Sequence, residues 1–371
     1  MDSFLAHFVH QIDPVLLEFR GVKLWYYGLA YAIGFLGIHA WFRHKREKLT
    51  LGAGQVYDLS ILFAAGVLAF GRAFEIVVYE WSYYAENPSQ LLSYWRGGMA
   101  SHGVLLGAVV GSWFFCRLRG RRFLTIVDEI VIPGAFLLAL GRIGNFVNGQ
   151  IYGSTTDVWW AVKFADAEGF RHPVTLYESL KNLAIIPILL VVRRRFPSGS
   201  GVPLAHFVFW YGFLRLFTDS FREYGTTFLR VGTGQYFNML MAAFGIALII
   251  WYSRAYRSST SAGVRGEPLR PVVEPRTRTS ESRAKLWVKR MVFIALLLLS
   301  LTIPSGWTQG VLKQLREQRS PQATLNRSTQ TPLGATCAVS RHFWTDAADL
   351  DLQVVVFTQA NNRCRVAGGD L

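Results

Sequence analysis

Before residue 255 the chain carries seven long, mostly apolar stretches, at roughly 24–42, 56–79, 101–116, 125–146, 174–192, 203–221 and 236–252, each followed by a short polar segment. The hydrocarbon core of a bilayer takes about 20 such residues as a helix. Backbone groups inside lipid must be satisfied within the chain, so only helices and closed barrels cross it. Runs of this length therefore predict an all-α polytopic membrane protein with seven transmembrane helices. An eighth, weaker stretch at 286–307 contains MVFIALLLLSLTI and reads either as a further transmembrane helix or as an interfacial, signal-like segment. Charged residues make up 17% of the chain, short of the roughly 25% of soluble domains. Three cysteines exclude a disulfide scaffold. MDSFLAHFVHQIDP lacks a basic region followed by an apolar core, so the first helix is expected to act as its own insertion signal.

Basic residues orient the helices, because cytoplasmic loops retain Lys and Arg. Arg43, Lys45, Arg46 and Lys48 follow the first stretch, Arg117, Arg119, Arg121 and Arg122 the third, and Arg193, Arg194 and Arg195 the fifth. The intervening loops are poorer: 80–100 holds only Arg96, 147–173 holds Lys163 and Arg171, and 222–235 holds Arg222 and Arg230. This alternation predicts an N-terminus outside and a cytoplasmic segment after the seventh helix. The net charge of +15 does not point to nucleic acid, because the basic residues are divided among separate inner loops.

The chain thus divides into a membrane domain (1–255), a basic linker (256–285), the eighth stretch (286–307) and a small extension (308–371), periplasmic if the eighth stretch crosses the membrane. Segment 254–290 has ten Lys or Arg against three acidic residues and reads as a disordered linker near anionic headgroups. In an exported extension Cys337 and Cys364 could pair, and LQVVVF at 352–357 is strand-like. Cys116 is expected to be a buried packing residue. The Cys and His spacing shows no metal-ligand pattern.

A charged residue within lipid costs about 2.5–3.5 kcal/mol on insertion scales, which makes it a functional candidate. With the orientation above, such residues gather toward one side. Tyr27 begins the first helix; Arg72 and Glu75 lie late in the second; His102 opens the third. Arg142, Asn145 and Asn148 close the fourth, Tyr177, Glu178 and Lys181 begin the fifth, and Arg215 and Asp219 lie late in the sixth. Six helices thus bring polar groups to the outer face. Arg72, Arg142 and Arg215 supply forked donors suited to phosphate. Arg215 and Asp219 stand four apart and can pair, and His102 can accept a proton near neutral pH. The glycines in 141–153 suit nonhelical backbone lining a cavity. Bland readings stand beside these: an Arg72–Glu75 link, Tyr27 in an aromatic belt, His102 at a helix end, Asn145 and Asn148 satisfying backbone groups. Gly107 and Gly111, spaced GxxxG, read as helix packing.

The segment GRIGNFVNGQIYG at 141–153 resembles the signature of the bacterial prolipoprotein diacylglyceryl transferases. Further similarities are WYYGLAYAIGF at 25–35, FGR at 70–72, GGMASHG at 97–103, RHPVTLYES at 171–179 and FLRLFTDSFRE at 213–223, in the family's order. The resemblance implies an inner-membrane enzyme, open to the outer leaflet, that moves diacylglycerol from phosphatidylglycerol to the lipobox cysteine of exported prolipoproteins. It implies catalytic roles for His102, Arg142, Arg215 and Tyr27, and phosphatidylglycerol binding by Arg72, Arg142, Asn145, Asn148, Gly153 and Asp219. Gln150, Tyr177 and Glu178 are further candidates. No metal, organic cofactor or nucleic acid is implied. Gln150 and Asp219 depart from the family's usual Glu at both places, Ser154 stands where Arg is frequent, and HGVLLG replaces the usual HGG start. The alternative is therefore a non-catalytic lipid- or lipoprotein-binding protein on the same scaffold. The extension past 255 lies outside the resemblance, and its removal is expected to leave transfer largely intact.

Overall fold

A computed structural model describes residues 8–222, 227–228, 231–261, 282–306, 356–360 and 363–367. Within its first compact unit, which runs from Met1 to Leu315, every predicted stretch is occupied by a helix. These are α1 (Tyr26–Lys45), α2 (Ala53–Phe74, extended by a π turn over Glu75–Tyr79), a short α3 (Trp81–Glu86), α4 (Ser101–Arg119) and α5 (Phe123–Val147). Then follow α6 (Val174–Arg195), α7 (Val202–Asp219), α8 (Thr233–Ser261) and α9 (Arg283–Leu301). Five are long and apolar enough to cross a membrane by length and composition: Ala53–Tyr79, Ser101–Arg119, Phe123–Val147, Val174–Arg195 and Gln235–Ser258. Helices α1, α7 and α9 are not among these five, α9 carrying Arg283, Lys285, Lys289 and Arg290 in its first turns, yet they pack into the same bundle.

Close helix crossings rest on small residues, as membrane helices require. A β-carbon at Gly107 would run into the Gly66 carbonyl, and one at Gly111 into the Leu62 carbonyl, so α2 and α4 meet backbone to backbone. At Gly144 a β-carbon would lie 3.1 Å from Tyr27 Cα, which joins α5 to α1. Cys116 is buried at the end of α4, as its apolar setting predicts. Helix α9 lies against α1 and α2: its Phe293 ring is 5.0 Å from His39 and 6.3 Å from Tyr57.

One end of the bundle is closed by acid-to-loop ties. Asp58 pairs with Arg119 and, at 2.8 Å, with Lys289 of α9. Asp128 accepts from the N–H groups of Gly199 at 2.8 Å, Gly201 at 2.9 Å and Leu204 at 3.0 Å, satisfying donors at the start of α7 that have no helical partner. Glu129 pairs with Arg193 at 2.7 Å and accepts from Ser198 at 2.6 Å.

The other end carries short strands that the all-α expectation omitted. Strand β1 (Phe8–Val9) pairs in parallel with β4 (Val162–Lys163), while β2 (Val15–Phe19) and β3 (Val22–Trp25) form an antiparallel hairpin. A two-residue pair, β5 (Thr227–Phe228) with β6 (Val231–Gly232), precedes α8. Such strands are too short for alternation to reveal them. In the second unit, Arg316–Leu371, β7 (Val356–Ala360) and β8 (Arg363–Ala367) make an antiparallel hairpin. The strand expected at 352–357 is described only from Val356. Cys337 and the side chain of Cys364 lie outside the described residues, as do residues 262–281 of the expected linker; its two ends are helical instead, α8 running to Ser261 and α9 starting at Arg283.

Candidate active site

The site is built at the end of the bundle where α1, α4, α6 and α8 begin and α2, α5 and α7 finish. Arg142 sits one turn before the end of α5, Glu178 early in α6 and Arg215 one turn before the end of α7. One oxygen of Glu178 receives both arginines, Nε of Arg142 at 2.6 Å and Nη1 of Arg215 at 2.7 Å. The Glu178 side chain is fully buried, and its second oxygen, Oε1, finds no hydrogen-bond donor among the described residues. Arg215 also lies 3.6 Å from Asp219, four residues on, which confirms that pairing; Asp219 in turn accepts from Asn238 Nδ2 at 2.6 Å.

Arg142 is fixed on three sides. Beyond Glu178 it donates to Asn145 Oδ1 at 3.3 Å and to Ser101 Oγ at 2.9 Å. Ser101 precedes His102, so this bond joins the start of α4 to the arginine cluster. The His102 ring lies 5.9 Å from Phe74 and 5.4 Å from Phe237, with no hydrogen-bond partner on either ring nitrogen among the described residues. Tyr27 is buried, its hydroxyl 3.1 Å from that of Tyr31. Lys181 lies one turn past Glu178, donates to Asn182 at 3.0 Å and stands 3.7 Å from the Tyr211 ring centroid.

Arg72, although at the same end, has different partners. Its guanidinium donates to the carbonyls of Leu91 at 3.1 Å, Gln90 at 3.0 Å, Ser93 at 3.2 Å and Gly97. It also rests against the rings of Tyr84 and Tyr94, 5.0 and 5.8 Å from their centroids. Burial raises the Tyr94 phenol pKa, with Arg72 opposing that shift. Through these carbonyls the arginine organises the loop between α2 and α4.

The glycine-rich segment divides in two. Contrary to a wholly nonhelical reading, Gly141 and Gly144 lie within α5, and irregular backbone starts at Asn148. Gly149 adopts φ of 66° beside the His10 ring, whose Nε2 is 2.7 Å from the Phe146 carbonyl. Gly153 donates to the His172 carbonyl at 2.9 Å, and a β-carbon there would strike Phe221, Val174 and His172. It lets three segments cross closely. Tyr177 accepts from Trp160 at 2.5 Å, and its hydroxyl is 3.1 Å from His172 Nδ1. Burial lowers the His172 pKa, so at neutral pH this ring is uncharged.

Residues beyond α9 also enter the site, which the sequence reading missed. Ser305 is buried and accepts from Asn145 Nδ2 at 2.6 Å. With its amide oriented to satisfy both ends, Asn148 accepts from the Ser305 N–H at 3.2 Å and donates to the Gly144 carbonyl at 3.1 Å. The Gly306 carbonyl accepts from Gly98 at 2.9 Å, and the Gln150 side chain packs against Gly306. The expectation that everything past 255 is dispensable does not fit this geometry. Ser101 and Asn238 carried only a weak signal, one polar residue at a helix start; Ser305 carried none.

Fold and site together define a multi-pass membrane protein with a buried arginine–carboxylate centre at one end of its helices. The sequence model of the family described as prolipoprotein diacylglyceryl transferase matches residues 14–251, and the chain belongs to that family. A relative from Legionella pneumophila is 37% identical over 216 residues, covering 57% of this chain and 84% of its own. One from Cupriavidus pinatubonensis is 33% identical over 265 residues, covering 68% and 95%. One from Methylibium petroleiphilum is 35% identical over 259 residues, covering 66% and 97%. All three are named phosphatidylglycerol–prolipoprotein diacylglyceryl transferase.

Proposed function

We propose that this chain is a phosphatidylglycerol–prolipoprotein diacylglyceryl transferase. It joins diacylglycerol to the lipobox cysteine of an exported prolipoprotein. The C–S bond of a thioether forms as the C–O bond to phosphate breaks, glycerol phosphate leaves, and the thiol proton passes to a base. The thiolate is the competent nucleophile, and His102, whose ring nitrogens have no hydrogen-bond partner among the described residues, is the residue that takes the proton. Arg142 and Arg215, held by Glu178, stabilise charge growing on the departing phosphate.

The single observation that carries this reading is the pair of buried guanidiniums sharing one oxygen of Glu178, with His102 beside them. Glu178 Oε1 suits a hydroxyl of the glycerol headgroup. Asn145 and Asn148 line the headgroup side, and Tyr27 lies next to them across the α1–α5 crossing. Arg72 and Gly153 serve the same site by holding its loops, Asp219 steadies Arg215, and Tyr177 and Gln150 complete its margin. Asp219 keeps a carboxylate in the cluster, so the non-catalytic alternative has no observation in its favour.

The protein spans the bacterial inner membrane with its N-terminus outside and this site toward the outer leaflet. Seven helices cross, and α9 makes an eighth crossing. Its Lys289 pairs with Asp58 at one end of the bundle, and the turn following it meets Asn145 at the other. Purified protein in phosphatidylglycerol micelles, given a lipobox peptide, should yield a diacylglycerol adduct detected by mass spectrometry. The adduct should require the lipid and vanish with a Cys→Ser peptide. Absence of adduct from well-folded protein would refute the reading.

A further inference from the structure

We infer that the turn after α9, residues 302–306, is a wall of the donor-lipid site and that Ser305 is a positioning residue acting through Asn145. This rests on the transferase reading above. The turn lies outside the region that matches the family, 14–251, so it is an addition of this chain to a shared site.

Its contacts are specific. Ser300, Ile303 and Ser305 are fully buried. The Ser300 and Leu301 carbonyls press on Gly28, where any β-carbon would collide with them. Ser305 takes the amide proton of Asn145 at 2.6 Å, which turns Oδ1 of Asn145 toward Arg142 at 3.3 Å. Through its backbone N–H, Ser305 also reaches Asn148 at 3.2 Å. Gly306 closes the turn onto Gly98 at 2.9 Å, in the loop whose Gly97 carbonyl Arg72 holds. The turn therefore stitches the Arg72 loop to the end of α5. Without the Ser305 hydroxyl, Asn145 loses the partner that fixes its amide, and Arg142 loses a fixed neighbour. A misaligned headgroup clamp weakens lipid binding more than it slows the chemical step.

The test uses the full-length protein. Steady-state transfer from phosphatidylglycerol to a lipobox peptide would be measured beside a titration of thermal stabilisation by the same lipid. Ser305→Ala should raise KM for phosphatidylglycerol about 10-fold, the scale of one lost hydrogen bond, with kcat changed less than about 3-fold. Ser305→Thr, which keeps the hydroxyl, should restore KM. Ser305→Cys, close in volume but a weak acceptor, should behave as Ala does and serves if the Ala variant fails to fold. Unchanged KM in both the Ala and Cys variants would overturn the inference. A lower KM or higher kcat would also overturn it, because the turn would then be a plug that obstructs the site. If wild-type protein transfers nothing, the transferase reading fails, but the titration still decides this proposal. Ser305→Ala must then shift the phosphatidylglycerol midpoint about 10-fold, and an unmoved midpoint refutes it.

Discussion

Asp58, Asp128 and Glu129 stand at one end of the helix bundle, Glu178 and Asp219 at the other. At the first end each carboxylate fastens chain to chain: Asp128 caps the start of α7, Glu129 holds Arg193 and Ser198, and Asp58 joins α2 to α4 and α9. Their cations range from 38% exposed at Arg119 to 17% at Lys289 and 16% at Arg193. At the second end the cations are sunk, with side-chain exposure of 11% for Arg142 and 7% for Arg215. They share one carboxylate oxygen, and their fork caps no helix and closes no loop. Burying charge costs several kcal/mol per ion. At the first end that cost is offset by architecture. At the second the fork ties α5, α6 and α7 to one another and leaves Glu178 Oε1 without a donor among the described residues.

This contrast can be broken by exchanging the readouts. Arg142→Ala should reduce transfer about 1,000-fold, the scale of removing a donor aimed at transition-state charge, while the protein still inserts and accumulates. Turnover at the wild-type rate would remove Arg142 from the mechanism. His102→Gln should lower kcat about 100-fold, at the modest end for loss of a general base, with lipid-dependent thermal stabilisation retained. At the opposite end the effect should move to stability. Glu129→Gln should cost about 2 kcal/mol by weakening a charge-assisted bond to Arg193, read as a lower Tm with kcat of the folded fraction preserved. Asp128→Asn, which keeps one acceptor for the α7 start, should cost about 1 kcal/mol and leave KM alone. A large kcat loss in either of these variants would erase the distinction between the two ends.

The helices were legible because a bilayer imposes a length that sequence must meet, and all eight stretches became helices. Convergence at one end of the bundle was legible too, since helix direction alternates. The centrality of Glu178 was not. Its bonds run to Arg142 and Arg215 on other helices, and helix rotation, which decides such pairings, leaves little trace in nearly uniform apolar segments. Arg72 looked equivalent to Arg142 from depth alone. The carbonyls that claim it belong to residues 90–97, a loop whose course no periodicity encodes. Asp128 and Glu129 stand beside a basic cluster, where acids give no sequence sign of burial, and both are fully buried. Ser305 was invisible for a simpler reason: nothing in 286–307 announces that α9 folds back on α1 and α2.

The glycine seam between α2 and α4 has a kinetic meaning. With Gly66, Gly107 and Gly111 placing backbone on backbone, the two helices have no side chain between them at that crossing that could repack. One carries the loop gathered by Arg72; the other carries His102 at its first turn. Whatever opens to admit a lipid tail, these two parts travel together like fittings on one plank. The spacing between proposed proton acceptor and headgroup loop is therefore set once, when the pair folds, and is inherited unchanged by every catalytic cycle.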